Sequence, residues 1–354
     1  MGDNRRMPDP SGALRVGVVG CGAFGRNHAR VYGELQAHSG HKLHFAGVAD
    51  SDFTRAQAIA REYGTEAYGS VDELIAAGVN AVSVAVPTVS HREVAGRLMQ
   101  SGVDVLIEKP LAVTIAEADE LIALARRHDR IAQVGHLERF NPAVRATVPL
   151  LTQPMFFEVH RLSVFTPRSL DVDVILDLMI HDLDVVLSFV NSPVKEIRAV
   201  GLPILSNKVD IANVRMEFES GCVANFTASR VSTERIRKLR FFQPRQYVSV
   251  DYSRQDVLVL TVGGETIDPA ELDPFNPVNV AVSAFPGITP FKPVIEQKEP
   301  LRAELESFLR AVRERSTPEV TLEDGRRALG AATEIVRAIA EHSRRAGLLE
   351  LTRG

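Results

Sequence analysis

From Leu14 to about Gly135, short apolar runs alternate with amphipathic stretches. The runs are "LRVGVVG", "LHFAGVAD", "AVSVAVP", "DVLIEKP" and "IAQVG". Several are nearly continuous in apolar residues, as strands buried on both faces must be. Between them, Ser90–Ser101 and Thr114–His128 repeat apolar positions at three and four residues, the period of a helix with one buried side. Strand and helix in alternation predict a parallel sheet with helices on both faces. Chirality restricts the crossovers but leaves strand order open.

After Gly135 the pattern changes. A helix-like segment precedes "MFFEVHRLSV", and Val174–Val190 reads as one helix. Then "VKEIRAVGLPI", "IANVRMEFES", "CVANFTASRV", "RKLRFFQ", "QYVSVDY" and "DVLVLTVG" follow one another with turn signals and no helix between them. Such a series predicts a large open, mainly antiparallel sheet. The Pro-rich stretch 268–293 reads as a long loop, and two helices over about 301–315 and 322–346 close the chain. The expected fold is an α/β domain followed by an α+β domain. Its expected division is a disordered leader over 1–12, a first domain over 13–135, and a second over 136–354 that includes the closing helices.

Composition narrows the function classes. The 354 residues exceed one typical domain, and 45% hydrophobic with 24% charged residues is the balance of a soluble globular protein. A net charge of −4 argues against a nucleic-acid or membrane-surface partner. No apolar run approaches the ~20 residues that span a bilayer. The opening "MGDNRRMPDPSG" is polar and lacks the apolar core of a signal peptide. Arg6 also stands where a myristoylation signal needs Ser or Thr. Cys21 and Cys222 lie far apart and form no metal-ligand spacing, so a reducing, cytoplasmic setting and no metal are expected.

Candidate chemistry begins at "VVGCGAFGRNH", where Gly20, Gly22 and Gly25, with Ala23 and Phe24 among them, separate the first strand from the first helix. A glycine-rich turn alone is common. Here strand, turn and helix are followed by a second strand ending in Asp50, twenty-five residues after Gly25. That is the setting of a dinucleotide-binding Rossmann turn, which brings backbone N–H groups to a pyrophosphate. The Asp50 carboxylate accepts from a ribose diol and repels an added phosphate, so NAD is expected over NADP. Further on, "VLIEKPLAVT" ends a parallel strand in Glu108, Lys109 and Pro110. Ligands bind beyond the carboxyl ends of such strands, so Lys109 is a candidate functional group rather than a surface lysine. In "LDLMIHDLDVVL", Asp177 and His181 lie four apart on one helical side, with Asp184 three residues on and Leu176, Met179, Ile180 and Leu183 packing beneath. A carboxylate beside an imidazole suits a general base; helix-surface electrostatics or a metal set are the competing readings.

The motifs "GVVGCGAFGRNHARVY", "VAVPTVSHREVA", "IEKPLAVT", "RFNPAVR", "DLMIHDLD" and "EPLRAELESFLRAV", in that order, resemble the Gfo/Idh/MocA oxidoreductases. The resemblance runs from Leu14 to about Ala340. It implies a Rossmann domain and a second domain whose open sheet packs against another subunit in a dimer or tetramer. It implies that Lys109 and His181 flank the reacting carbinol with Asp177 assisting. Pro87, Thr88, His91 and Glu108 match cofactor-lining positions, and Arg139, Asn141 and Arg168 fall on the substrate side. Met179 stands where the family often has glycine. Within the family, "VGHLERFNPAV", "FTPRSLDVDVILDLMIHDLDVVL" and "SRVSTERIRKLRFF" are most similar to UDP-N-acetylglucosamine 3-dehydrogenases, whose product is aminated on the way to amide-linked lipid A. For a nucleotide-sugar diphosphate, Arg139, Arg161, Arg168, Arg230, Arg235, Arg237 and Lys238 are the available cations, of which two or three are expected to touch substrate. The alternatives are a dehydrogenase of a free polyol such as inositol, or a non-catalytic NAD-responsive regulator.

Overall fold

A computed structural model describes residues 13–39, 42–166, 172–263 and 287–347. They fall into two compact units, one built from the chain up to Leu137 with Glu299–Leu329, the other from Glu138–Lys298 with the chain from Gly330 onward. The first unit starts with β1 (Leu14–Val19), α1 (Ala23–His38), β2 (Leu43–Ala49), α2 (Phe53–Tyr63), β3 (Ala67–Tyr68) and α3 (Val71–Ala76). It continues with β4 (Ala81–Val84), α4 (His91–Gln100), β5 (Asp104–Glu108), α5 (Ile115–Arg127) and β6 (Ala132–Gly135). Its strands make one parallel sheet in the order β3-β2-β1-β4-β5-β6. Every residue of β4 and β5 is buried, as continuous apolar runs under two helical layers must be. Helix starts are set by capping: Asp52 accepts from the N–H groups of Thr54 and Arg55, and Thr114 forms a capping box with Glu117. Neither β3 nor α3 is predicted from the sequence, because two and six residues carry too little periodicity.

The second unit contains α6 (Pro142–Thr147), β7 (Phe156–Leu162), a π-helical turn over Ile175–Met179 that runs into α7 (Ile180–Phe189), and β8 (Val194–Leu202). Then come β9 (Ile211–Phe218), β10 (Val223–Ser229), β11 (Ile236–Gln243), β12 (Gln246–Asp251), β13 (Asp256–Val262) and β14 (Ile288–Phe291). They form an eight-stranded sheet in the order β14-β13-β12-β11-β7-β10-β9-β8. β7 and β10 pair in parallel and the other neighbours are antiparallel. Burial alternates along β7, so the sheet has a packed face and an open one. The packed face meets α7, where the Phe189 ring lies 6.4 Å from Phe157 and 6.2 Å from Phe241. β14 corrects the expectation of a loop throughout 268–293; the rest of that stretch before residue 287 and the leader 1–12 lie outside the described residues.

The helices that close the chain, α8 (Pro300–Glu314) and α9 (Leu322–Arg345), do not both follow the expected division. Leu305, Phe308, Leu309 and Val312 of α8 enter one core with Val16, Val31, Tyr32 and Phe45, so α8 completes the first unit. The turn after it extends the sheet edge, where the Val134 N–H donates to the Val320 carbonyl at 3.1 Å. A Cβ on Gly325 would come within 2.7 Å of Val134 Cγ2, so the start of α9 lies directly on β6. No helix among the described residues is long and apolar enough to cross a membrane.

One ion cluster fixes α7 on its sheet. Arg161 of β7 is 3% exposed and donates to both carboxylate oxygens of Asp182, at 2.6 and 2.8 Å, and to Glu138 at 3.0 Å. Its guanidinium also lies 5.2 Å from the centre of the Tyr252 ring. Burial works against the Arg161 charge, but Asp182 and Glu138 outweigh it and hold it above the usual guanidinium range. Arg161→Met would leave two buried carboxylates without their cation. That change is expected to lower unfolding free energy by about 3–5 kcal/mol, read from urea denaturation. An unchanged midpoint would mean the cluster contributes nothing.

Candidate functional site

In the first unit, strand order reverses between β1 and β4, and a cleft of about 680 Å³ opens beyond the ends of those strands. Gly20, Gly22, Ala23, Phe24, Asp50 and Pro87 line it, together with Arg55, the Gly69–Val71 segment, Ser90 and Glu93. The three glycines have three different reasons to be glycine. Gly20 has φ +98°, and a Cβ there would stand 2.5 Å from the Ala85 carbonyl oxygen. Gly25 is buried under the turn, where a Cβ would fall 1.7 Å from the Gly20 oxygen. Gly22, just before α1, has nothing within 4 Å of the same position, so its missing side chain leaves open space in the cleft. Tight turn, open approach and close helix–strand packing are what a dinucleotide pyrophosphate requires.

Asp50 closes one side of that cleft. Its two oxygens accept the backbone N–H groups of Cys21 at 2.7 Å and Asp52 at 2.8 Å, which aims the carboxylate and leaves lone pairs on each oxygen for a ribose diol. Burial and then the Asp50 charge push the Cys21 thiol up to about 12, so it stays protonated. The β3–α3 segment was missed by sequence reading, although Ser70 followed three residues later by Glu73 was a helix-start signal.

Five of the expected cofactor residues do not line the cleft: Gly25, which lies beneath the turn, and Thr88, His91, Glu108 and Lys109. Thr88 is half-buried in a 3-10 turn before α4. His91 is buried, with Nδ1 3.0 Å from the Pro110 carbonyl oxygen and Nε2 3.0 Å from that of Val86. Glu108 is buried against His28 of α1, and Lys109 is half-buried immediately beyond β5.

In the second unit, Asp177 lies in the π turn and His181 in the first turn of α7, both half-buried. A π turn widens the helix and closes i→i+5 bonds, a feature found often at functional sites. The turn's start is tied down: the Val174 N–H donates to the Val209 carbonyl at 2.9 Å, and the Val209 N–H donates to the Asp173 carboxylate at 2.9 Å. Asp184, three residues on from His181 in α7, is buried, 3.6 Å from Arg139. Met179, Ile180 and Leu183 are buried as expected, while Leu176 is half-buried.

Several predicted substrate contacts are occupied within the fold. Asn141 is buried; its oxygen caps α6 through the Ala143 N–H, and its amide donates to Glu138 and to the Tyr252 carbonyl, each at 3.1 Å. Arg161 belongs to the core cluster. Arg230 is buried against Asp210 at 2.7 Å, and Asp210 also accepts the N–H groups of Ile204, Leu205 and Ser206. Arg168 lies outside the described residues. Arg237 differs from these. It is exposed, stands directly opposite Arg161 across the β11–β7 ladder, and shares the packed-face parity of Leu239 and Phe241. Partial desolvation and then the Arg161 charge lower its pKa, so an anion beside it would relieve a like-charge contact.

Residues 14–136 match the GFO_IDH_MocA oxidoreductase family with its NAD-binding Rossmann fold, and residues 153–245 match the GFO/IDH/MocA C-terminal domain. The chain is 36% identical over 323 residues to UDP-N-acetylglucosamine 3-dehydrogenase of Acidithiobacillus ferrooxidans, covering 91% of this chain and 96% of that one. A solved structure of that enzyme superposes with a TM-score of 0.82 over 92% of this chain and 97% of its own. Myo-inositol dehydrogenase Hyg17 of Streptomyces leeuwenhoekii is 32% identical over 49% of this chain and 54% of its own length. A putative myo-inositol dehydrogenase from Sinorhizobium meliloti shares the fold, with a TM-score of 0.73 at 21% identity over 93% of this chain and 98% of its own.

The glycines give a direct test of the cleft. Gly22→Ala should leave the melting temperature near that of the unmodified protein and weaken NADH binding, followed by NADH fluorescence. Gly20→Ala should instead destabilise the fold, because both its φ and its Cβ contact are prohibitive. Equal NADH affinity in the Gly22 variant would remove that position from the cofactor site.

Proposed function

Since the chain belongs to the Gfo/Idh/MocA oxidoreductase family and is an NAD-dependent dehydrogenase acting on a CH–OH group, we propose that its substrate is UDP-N-acetylglucosamine, oxidised at the sugar 3-hydroxyl. The observation that carries this reading is the 36% identity to the UDP-N-acetylglucosamine 3-dehydrogenase over 91% of the chain, both units included. Arg237 supports it, because a guanidinium facing another cation across a ladder is suited to a diphosphate. Remote binding of that diphosphate positions the sugar for reaction. The 3-keto product would then be a substrate for transamination, on the way to a lipid A with an amide-linked acyl chain.

When bound, NAD supplies the hydride acceptor. As the C3 hydrogen leaves with its electron pair, the hydroxyl proton needs a base, and His181 fills that role with Asp177 orienting and polarising the imidazole. Lys109 stabilises the oxygen as alkoxide character develops. Gly20, Gly22, Ala23, Phe24, Asp50 and Pro87, which line the cleft, would hold the dinucleotide.

The test is NADH formation with UDP-N-acetylglucosamine against free N-acetylglucosamine and myo-inositol, with NMR of the product and an aminotransferase present to draw off the ketone. Turnover of the nucleotide sugar, a C3 carbonyl and little reaction of the free sugar are expected. Lys109→Ala and His181→Ala should each lower kcat at least about 10²-fold, with NADH binding retained in the His181 variant. Turnover of inositol or free sugar alone would overturn the substrate, and absence of NADH formation with any of them would favour a regulator.

The open sheet face supports self-association. Phe156, Phe242 and Tyr247 form a contiguous aromatic patch there, with ring centres 5.6 and 5.1 Å apart, and Phe242 is 37% exposed. We infer a homo-oligomer, a dimer or tetramer, that covers this face. Sedimentation should give a multiple of the 38.8 kDa chain mass, reduced by Phe242→Glu. A monomer at micromolar concentration would overturn it.

A further inference from the structure

Lys109 stands between two residues that are each held by a buried histidine. On the near side is Glu108, the last residue of β5. Its Oε1 lies 2.9 Å from Nε2 of His28, a fully buried residue of α1, and its Oε2 accepts the Lys109 backbone N–H at 3.2 Å. The space for this carboxylate exists because β6 ends in glycine: a Cβ on Gly135 would stand 3.1 Å from Glu108 Cδ and Oε1. Burial alone would raise the Glu108 carboxyl, but the His28 hydrogen bond and the His28 and Lys109 charges hold it below the usual carboxylate range. Glu108 is therefore a buried anion whose orientation is set by His28.

On the far side, His91 of α4 reaches the Pro110 carbonyl with Nδ1 and the Val86 carbonyl with Nε2, each at 3.0 Å. Burial lowers the pKa of His91, so the ring carries one N–H near neutral pH and serves one carbonyl at a time. Val86 lines the cofactor cleft, so the His91 ring stands between the cleft wall and the chain immediately after Lys109. Neither histidine lines the cleft itself.

We propose that His28 and His91 are positioning residues for Lys109, His28 acting through the Glu108 side chain and His91 through the Pro110 carbonyl. This rests on Lys109 being the catalytic lysine of the dehydrogenation proposed above. A catalytic amine on a loop between a strand end and the next helix has no ladder to fix it, and a displacement of about 1 Å can cost 10²-fold in rate. Anchoring the residue on each side removes that freedom without occupying the space in front of the lysine. Simple core packing is the competing account, and it predicts loss of stability with kcat per folded molecule unchanged.

The experiment compares His28→Leu, His28→Gln, His91→Leu and His91→Asn, each with Lys109 intact and with Lys109→Ala, using NAD and UDP-N-acetylglucosamine. With Lys109 present, the leucine variants should lower kcat at least about tenfold while NADH affinity stays within about twofold, and the amide variants, which keep an N–H donor near Nε2 of His28 and Nδ1 of His91, should recover most of the loss. In the Lys109→Ala background, the same substitutions should lower the residual kcat no further, because a residue that acts through Lys109 has nothing left to position. Equal fold-losses in both backgrounds, or an unchanged kcat with a lowered melting temperature, would overturn the proposal. If the leucine variants do not fold, His28→Asn and His91→Ser, whose polar side chains are too short to reach Glu108 and Pro110, are compared in the two backgrounds instead, and equal fold-losses in both overturn the proposal. Full turnover by Lys109→Ala itself would instead remove Lys109 from the chemistry and leave the histidines as core residues.

Discussion

A buried guanidinium has to have its counter-charges in contact with it, and in the second unit the arrangement around α7 follows from that one requirement. Arg161 projects from β7 onto the packed face of the sheet, where Asp182 and Glu138 satisfy it. Because Asp182 faces the sheet, α7 can take only one rotation, and the residue before it, His181, is turned toward a different side of the helix. A second buried pair acts at the other end. Asp210, held by Arg230, organises residues 204–206, and the adjoining Val209 exchanges hydrogen bonds with the chain that begins the π turn. Asp177 and His181 thus lie on a segment fixed in rotation by one ion pair and in position by another. Burying two charged pairs is a weak source of stability, and its return here is definition of a single geometry.

Much of the fold was legible because its signals are periodic and local. The continuous apolar runs of β4 and β5 and the alternation along β7 and β10 state how many faces each strand buries. The turn after β1 was legible for another reason: three glycines, a following helix and Asp50 form a set whose members make sense only together. What stayed hidden was partnership across long sequence distances. Arg161 and Arg230 looked like candidates for an anionic substrate, since a sequence displays charge without displaying what neutralises it. Asn141 likewise reads as a polar group near a substrate, whereas it is a helix cap with its amide satisfied. The placement of α8 was hidden because its amphipathic pattern announces that one side is buried, not which core it enters.

The cofactor residues divide along the same line. What marks Gly20, Gly22 and Asp50 is backbone shape and one half-buried carboxylate, properties that a short motif encodes. His91 and Glu108 belong to the same motif set, yet in the structure their polar atoms turn inward, one toward two carbonyls and one toward His28. Motif membership identifies the neighbourhood of a site; hydrogen-bond partners identify the role.

The chain enters the first unit twice, and α9 begins in that unit at Leu322 and ends in the second beyond Gly330. Neither unit is one uninterrupted stretch of sequence carried on a linker. Exchanging the second unit for that of a relative would require genetic crossovers after Leu137, after Lys298 and within α9 after Leu329. The last of these has to preserve helical phase, since one residue gained or lost rotates everything beyond it by about 100°. New substrate preferences in a chain built this way are more accessible through point substitutions inside the second unit than through wholesale shuffling of domains.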